Sequence, residues 1–273
     1  MAAVIHPCVL TIAGSDSGGN AGVQADLRMF HAYALHGCTV IAALTAQNPF
    51  AVSAIHAVPA DFVAAQLDAV LGVYSIRALK TGMLSCADTI RVVAERLARH
   101  PEIKAVVDPV MVATSGARLI PDDAVDALVR HLLPLATVIT PNLPEAEVLA
   151  GGAVDASARL ADADRAERLA SALQRRFGCA VLVKGGHGEG DASVDVLCEG
   201  SSVRRFAMPR IENPVSTHGT GCSLAAAIAA ELALGRDLAS AVAGAKDRVH
   251  EAIRTSYLVG DGCGVLGFGK GRT

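Results

Sequence analysis

The chain has no tryptophan, three tyrosines and six phenylalanines in 273 residues. A core built on aromatic rings is therefore excluded. The interior must come from Ala, Val and Leu, and small side chains favour helices packed closely on a sheet. A cationic surplus is also missing, because 24 Lys and Arg face 27 Asp and Glu for a formal charge of −3. That balance argues against a nucleic-acid partner, whose phosphates need basic side chains to displace counterions. No run of like charges marks an acidic or basic tail. The seven cysteines form no Cys-x-x-Cys pair, and their number is odd. Such usage makes a poor disulfide framework and a poor zinc site, and it suits a reducing cytosol. Met1 to Pro7 lacks the basic flank and apolar core of a signal peptide. The most apolar helical stretch, Leu224 to Leu234, is too short to cross a bilayer and contains Glu231. A cytoplasmic protein with no membrane partner is expected. His6, His31, His36, His56, His100, His131 and His250 show no metal-ligand spacing and read as surface or structural residues.

What is present is a pattern of short apolar runs alternating with longer amphipathic segments, within a chain that is 52% apolar and 19% charged. Strands are expected at Cys8–Ala13, Cys38–Thr45, Ile76–Lys80, Lys104–Val107, Ala136–Thr140 and Ala180–Lys184. An edge strand is expected at Val52–Val58, and a hairpin at Ser193–Cys198 and Val203–Met208. Helices are expected at Val23–Leu35, Asp61–Leu71, Ala87–Arg99, Asp122–Leu133, Pro144–Ala150, Ser157–Phe177, Gly219–Leu234 and Ala239–Thr255. A glycine-rich turn spans Gly14 to Gly22, and a variable loop spans Ala153 to Ala163. Strands alternating with helices of this length imply βαβ units. Runs apolar on both faces imply a mainly parallel sheet covered on both sides, a three-layer α/β/α arrangement. No internal repeat or low-complexity linker divides the chain, so one domain over 1–273 is expected.

Open α/β sheets bind ligands beyond the carboxyl ends of their strands. Here those ends carry Gly14-Ser15-Asp16, Gln47-Asn48, Gly82-Met83, Asp108, Asn142 and Lys184-Gly185-Gly186. The strongest local signal is Thr217-His218-Gly219-Thr220-Gly221-Cys222, which opens an Ala-rich helix. Two glycines let backbone amides close on an anion, and the helix N-terminus adds unpaired N–H groups and a positive dipole end. The same pattern also fits a plain loop capping a helix. Cys222 falls in the first helical turn, where a thiol pKa is lowered and the thiolate can serve as a base. A small packing cysteine is the other reading. Asn142 and Glu145 are three apart at a helix start. They can hold Mg²⁺ with Asp108, or form a capping pair. Lys184 beside glycines can reach phosphate oxygens or lie exposed in a turn. Gln47 presents one acceptor and two donors in a plane, which suits an aminopyrimidine edge but also an ordinary strand end. Gly14-Ser15-Asp16-Ser17-Gly18-Gly19 is not a Walker A loop and reads as a flexible floor of a substrate pocket. Asp26 lies one turn into the next helix and points towards that pocket or to solvent.

In order along the chain, Thr11-Ile12-Ala13-Gly14-Ser15-Asp16, Ala21-Gly22-Val23-Gln24-Ala25-Asp26, Ala43-Leu44-Thr45-Ala46-Gln47-Asn48 and Thr81-Gly82-Met83-Leu84 resemble the ribokinase-like family. Asp108-Pro109-Val110, Thr140-Pro141-Asn142-Leu143-Pro144-Glu145-Ala146, Val183-Lys184-Gly185-Gly186-His187 and the Thr217-to-Cys222 turn continue the match. Within that family they are most similar to the hydroxymethylpyrimidine/phosphomethylpyrimidine kinases of thiamine biosynthesis, over about residues 8 to 235. The resemblance implies a Rossmann-like sheet, ATP and Mg²⁺, a homodimer, and phosphoryl transfer to a hydroxymethylpyrimidine and then to its monophosphate. It implies that Gln47 holds the pyrimidine, and that Gly14, Asp26, Met83 and Val110 line its pocket. It places Asp108 and Glu145 at the metal, and Asn142, Thr217 and Lys184 at the ATP phosphates. Gly219, Thr220, Gly221 and Cys222 then form the anion hole. Most ribokinase-like enzymes end that turn in Asp; Cys222 is the pyrimidine-kinase form. Two departures are Asn20, where a small residue is expected, and Gly260–Phe268, a loose match to the family's closing segment. A pyridoxal-type kinase and a non-catalytic pyrimidine-binding regulator are the competing expectations.

Overall fold

The computed structural model describes residues 7–111, 120–151, 161–186 and 190–269. The apolar runs pair as β1 (Cys8–Asp16), β2 (His36–Asn48), β3 (Ala51–Ala57), β4 (Ile76–Thr81), β5 (Lys104–Val107), β6 (Val138–Ile139), β7 (Ala180–Val183), β8 (Ala192–Glu199) and β9 (Ser202–Pro209). They form one sheet in the order β3-β2-β1-β4-β5-β6-β7-β8-β9. The pairs from β2 through β7 are parallel, and the antiparallel β3 and β8–β9 close the two flanks.

Side chains alternate across this sheet, as the two-residue strand period requires. Leu10, Ile12, Leu79, Val107 and Ile139 face one core. That core is closed by α2 (Ala60–Leu71), α3 (Ala87–Leu97), α4 (Asp122–Ala127), α5 (Leu143–Ala150) and α6 (Asp162–Phe177). Val9, Ala78, Val106, Val138 and Leu182 face the other core, closed by α1 (Gly22–Ala32), α7 (Thr220–Ala233) and α8 (Leu238–Arg254). The expected three layers are therefore present. The missing aromatics are replaced by alanine: Ala225, Ala226, Ala227, Ala229 and Ala230 in α7 are wholly buried. Their small side chains let α7 lie against α1, α8, β1, β4 and β5 together.

Several boundaries differ from the sequence reading. Gly14-Ser15-Asp16 continue β1 after a register shift at Ala13/Gly14, so the glycine turn begins at Ser17. The helix expected to reach Leu133 is regular only to Ala127. It continues as a wide turn over Leu128–Leu132 and a tight one over Leu133–Leu135. Pro134, which has no N–H to donate, prevents the regular ladder from continuing. A two-stranded ribbon, β10 (Tyr257–Val259) with β11 (Cys263–Val265), was not anticipated. The expected loop at 153–163 and helix start at Ser157 fall largely outside the described residues. Among the described residues, no helix is long and apolar enough to cross a membrane.

Candidate active site

The parallel strands deliver their polar ends to one cavity of about 560 Å³. On one side is β2, whose bulge at Ala46/Gln47 turns the end of the strand. The Thr45 hydroxyl donates to Gln47 Oε1 at 3.2 Å. Ser17 fixes the Gln47 backbone from the first turn: its hydroxyl donates to the Gln47 carbonyl at 2.7 Å and accepts from the Gln47 N–H at 2.8 Å. That turn is tied down rather than loose. The Asp16 carboxylate accepts N–H bonds from Gly18, Asn20 and Ala21 at 2.8–2.9 Å. The expectation of a flexible floor is corrected accordingly. Gly14 and Met83 meet at the wall, where any side chain on residue 14 would strike Met83. Val110 also lines the cavity.

Facing them, Gly219 caps α7 with φ +85°, and its Cα lies against the Asn20 carbonyl. Only glycine meets both demands without strain. Thr217, Thr220, Gly221 and Cys222 line the cavity beside it. A Gly219→Ala variant is expected to lose about 1–3 kcal/mol of stability. It should also lose most turnover, because the turn must retreat from Asn20. Thermal melts and initial rates check this.

Between the two sides stand the ionisable groups. Lys184 Nζ donates to Asp108 Oδ1 at 2.7 Å, and the Thr140 hydroxyl donates to the same oxygen at 3.0 Å. The Lys184 ammonium also sits over Gly221. Asn142 and Glu145 form a reciprocal capping box at the start of α5, with both hydrogen bonds at 2.8 Å. The capping reading is thus realised. Glu145 still lines the cavity, and burial pushes its carboxyl up against the opposing pull of Lys184. Burial likewise pushes the Cys222 thiol above its ordinary value, while Lys80 works against that rise. This corrects the sequence expectation of a lowered thiol: removal from water outweighs the placement at a helix start.

Asp26 needs a second correction. It does not reach the cavity wall but lies fully buried beneath it, paired with Lys80 at 2.9 Å. The residue that faces the cavity is Lys80, which sequence reasoning missed. The signal was a lysine inside an apolar strand, a place where lysine almost never sits unpaired. Asp195 and Lys246 were missed too. They pair at 2.7 Å, and Asp195 accepts from the Gly185 N–H at 2.8 Å, which fixes the Lys184-Gly185 corner. Lys246 had a visible signal, since it falls on the apolar stripe of α8 with Val242, Ala245 and Val249. The divergent Gly260–Phe268 segment supplies β11, where Gly264 lies against Val215 and Ser216, just before the Thr217–Cys222 turn.

A parallel sheet with a glycine turn at a helix start, a lysine over it and buried carboxylates beside it fits a phosphotransferase of the ribokinase-like kind. Residues 16–267 match the family described as phosphomethylpyrimidine kinase, and the chain belongs to that family. The hydroxymethylpyrimidine/phosphomethylpyrimidine kinase of Rhizobium meliloti is 49% identical over 89% of each chain. The thiamine biosynthesis bifunctional protein of Geobacter sulfurreducens is 47% identical over 94% of this chain and 51% of its own length. Among solved structures, an ADP complex of Bacillus subtilis pyridoxal kinase superposes with TM-score 0.86 at 33% identity, covering 96% of this chain and 97% of that one.

Proposed function

We propose that this chain transfers the γ-phosphate of ATP to 4-amino-5-hydroxymethyl-2-methylpyrimidine. The resulting monophosphate then accepts a second phosphate, giving the diphosphate used in thiamine biosynthesis. The observation that carries this reading is a single cavity lined both by Gln47 and by the Gly219–Cys222 turn. The family match and the 49% identical relative support the same substrate.

In this reading Gln47 pairs with the amine and ring nitrogen of the pyrimidine, while Met83, Gly14 and Val110 enclose the ring. The N–H groups of the turn receive the transferring phosphoryl group, and Lys184 meets the ATP phosphates with Asn142 and Thr217 beside them. Cys222 takes the proton of the attacking hydroxyl. Catalysis of this kind is mainly positioning and charge stabilisation. Asp108 and Glu145 carry the hard oxygens that suit Mg²⁺, which takes few protein ligands beside water and phosphate. When bound, the ion would neutralise charge on the phosphates. We further propose a cytoplasmic homodimer.

The test is product analysis by mass after incubation with the hydroxymethylpyrimidine, ATP and Mg²⁺. Both mono- and diphosphate are expected. No ADP would point to a binding protein instead. Strong preference for pyridoxal would favour a pyridoxal-type kinase instead, a reading less well matched at 33% identity than the pyrimidine kinases at up to 49%. Gln47→Ala should weaken the pyrimidine by about 1–3 kcal/mol, read as a rise in its KM. Unchanged KM would remove Gln47 from the site.

A further inference from the structure

Two buried charges in the cavity wall have no part in the reading above. Asp195 lies on β8 and Lys246 on α8, and their side chains are 5% and 9% exposed. Both line the cavity, with Ser193 and Gly186 beside them. Lys246 Nζ stands 2.7 Å from Asp195 Oδ2 and donates to the Ser193 hydroxyl at 3.4 Å. Stability gives little reason for such a pair, because well-packed apolar residues often serve as well or better.

The other oxygen of Asp195 gives the reason. Asp195 Oδ1 accepts the Gly185 N–H at 2.8 Å. Gly185 follows Lys184, and it lies so close to the Val194 carbonyl that any side chain would strike it. On the opposite flank, the Lys184 N–H donates to the Pro141 carbonyl at 2.9 Å. The Lys184 backbone is thus held from both sides, while its ammonium reaches Asp108 and sits over Gly221. We propose that Asp195, with Lys246 as its counter-ion, is a positioning residue that aims Lys184 at the phosphates of ATP. The proposal rests on reading Lys184 as the residue that meets those phosphates.

The chemistry of the two partners dictates the residue type. The Gly185 N–H and the Lys246 ammonium are both donors, and they sit on different oxygens of Asp195. Position 195 must therefore present an acceptor on each side. A carboxylate does so, whereas an amide carries oxygen on one side and N–H on the other. In Asp195→Asn the oxygen turns to the ammonium, because hydrogen bonds to ions are the stronger ones. The Gly185 corner is then released, and Lys184 must be ordered afresh when ATP binds, which lowers affinity. Without the ammonium the one oxygen returns to Gly185, so adding Lys246→Met should restore the corner.

The test is calorimetric titration of the full chain with ATP and Mg²⁺, no alcohol being present, and separately with the hydroxymethylpyrimidine alone. Asp195→Asn should weaken ATP about tenfold or more. It should leave the pyrimidine unchanged, because Gln47 on β2 and Asp195 on β8 stand towards opposite ends of the sheet. Asp195→Asn/Lys246→Met should bind ATP nearly as the unaltered chain does. Asp195→Leu/Lys246→Met, equally free of charge but with no acceptor, should stay about tenfold weaker. A pair that only braces the fold would weaken both ligands together, in step with the melting temperature, and that outcome overturns the proposal. Equal ATP affinity in the two double variants overturns it as well, since the acceptor would then do nothing. If Asp195→Asn does not fold, this comparison of the doubles decides alone. Lys184→Met in the same titration separates the two levels. Unchanged ATP affinity there would sink the phosphate reading itself, whereas a loss there with none in Asp195→Asn sinks only this inference.

Discussion

Replacing Cys222 with alanine is expected to lower turnover by about 10²–10⁴-fold while KM for both substrates stays nearly unchanged. The backbone N–H groups of residues 219–222 survive the change, so the proposed anion seat is kept. In the proposed mechanism what is lost is the proton acceptor for the attacking hydroxyl, an effect confined to the transition state. The pH profile adds a second readout. Burial raises the thiol pKa, so the group is protonated at neutral pH and its thiolate grows as pH rises. The rate of the unaltered enzyme should therefore climb with pH, with the limb lying above the ordinary thiol range. The alanine variant should lose that limb. Near-normal turnover would show that the thiol merely fills space.

Lys184→Met is expected to act on stability and on chemistry together. The Lys184 and Asp108 side chains are 13% and 2% exposed, so removing the cation strands a buried carboxylate. Breaking one side of such a pair costs about 3–5 kcal/mol. Adding Asp108→Asn should return most of the melting temperature, because the amide needs no counter-charge. It should not return activity if Lys184 meets the ATP phosphates as proposed. Thermal melts and ATP-dependence curves of the three proteins separate the two effects. If activity returned with stability, Lys184 would be a structural residue only.

The layers and the strand-end site were legible because their signals are local. Apolar runs such as Lys104–Val107 and the turn at Gly219 state their own structure. The buried pairs were less legible, because each joins residues far apart in sequence. Asp26 looked like a pocket residue from its helix position, yet its carboxylate faces Lys80 on another element. Cys222 was misjudged for a similar reason. A helix start is visible in sequence, but the burial that raises the thiol is set by residues distant in the chain and is not. The end of α4 shows the same limit on a smaller scale, where Pro134 was visible but the wide turn before it was not.

The contact between Gly219 and the Asn20 carbonyl has a consequence for synthesis. It joins a turn translated early to one translated late, and α7 docks on α1, β1 and β4 only after the ribosome has made nearly the whole chain. A nascent chain thus carries Gln47 and its Ser17 latch long before it has the Gly219–Cys222 turn. A product truncated before α7 would lack the Gly219–Cys222 turn altogether.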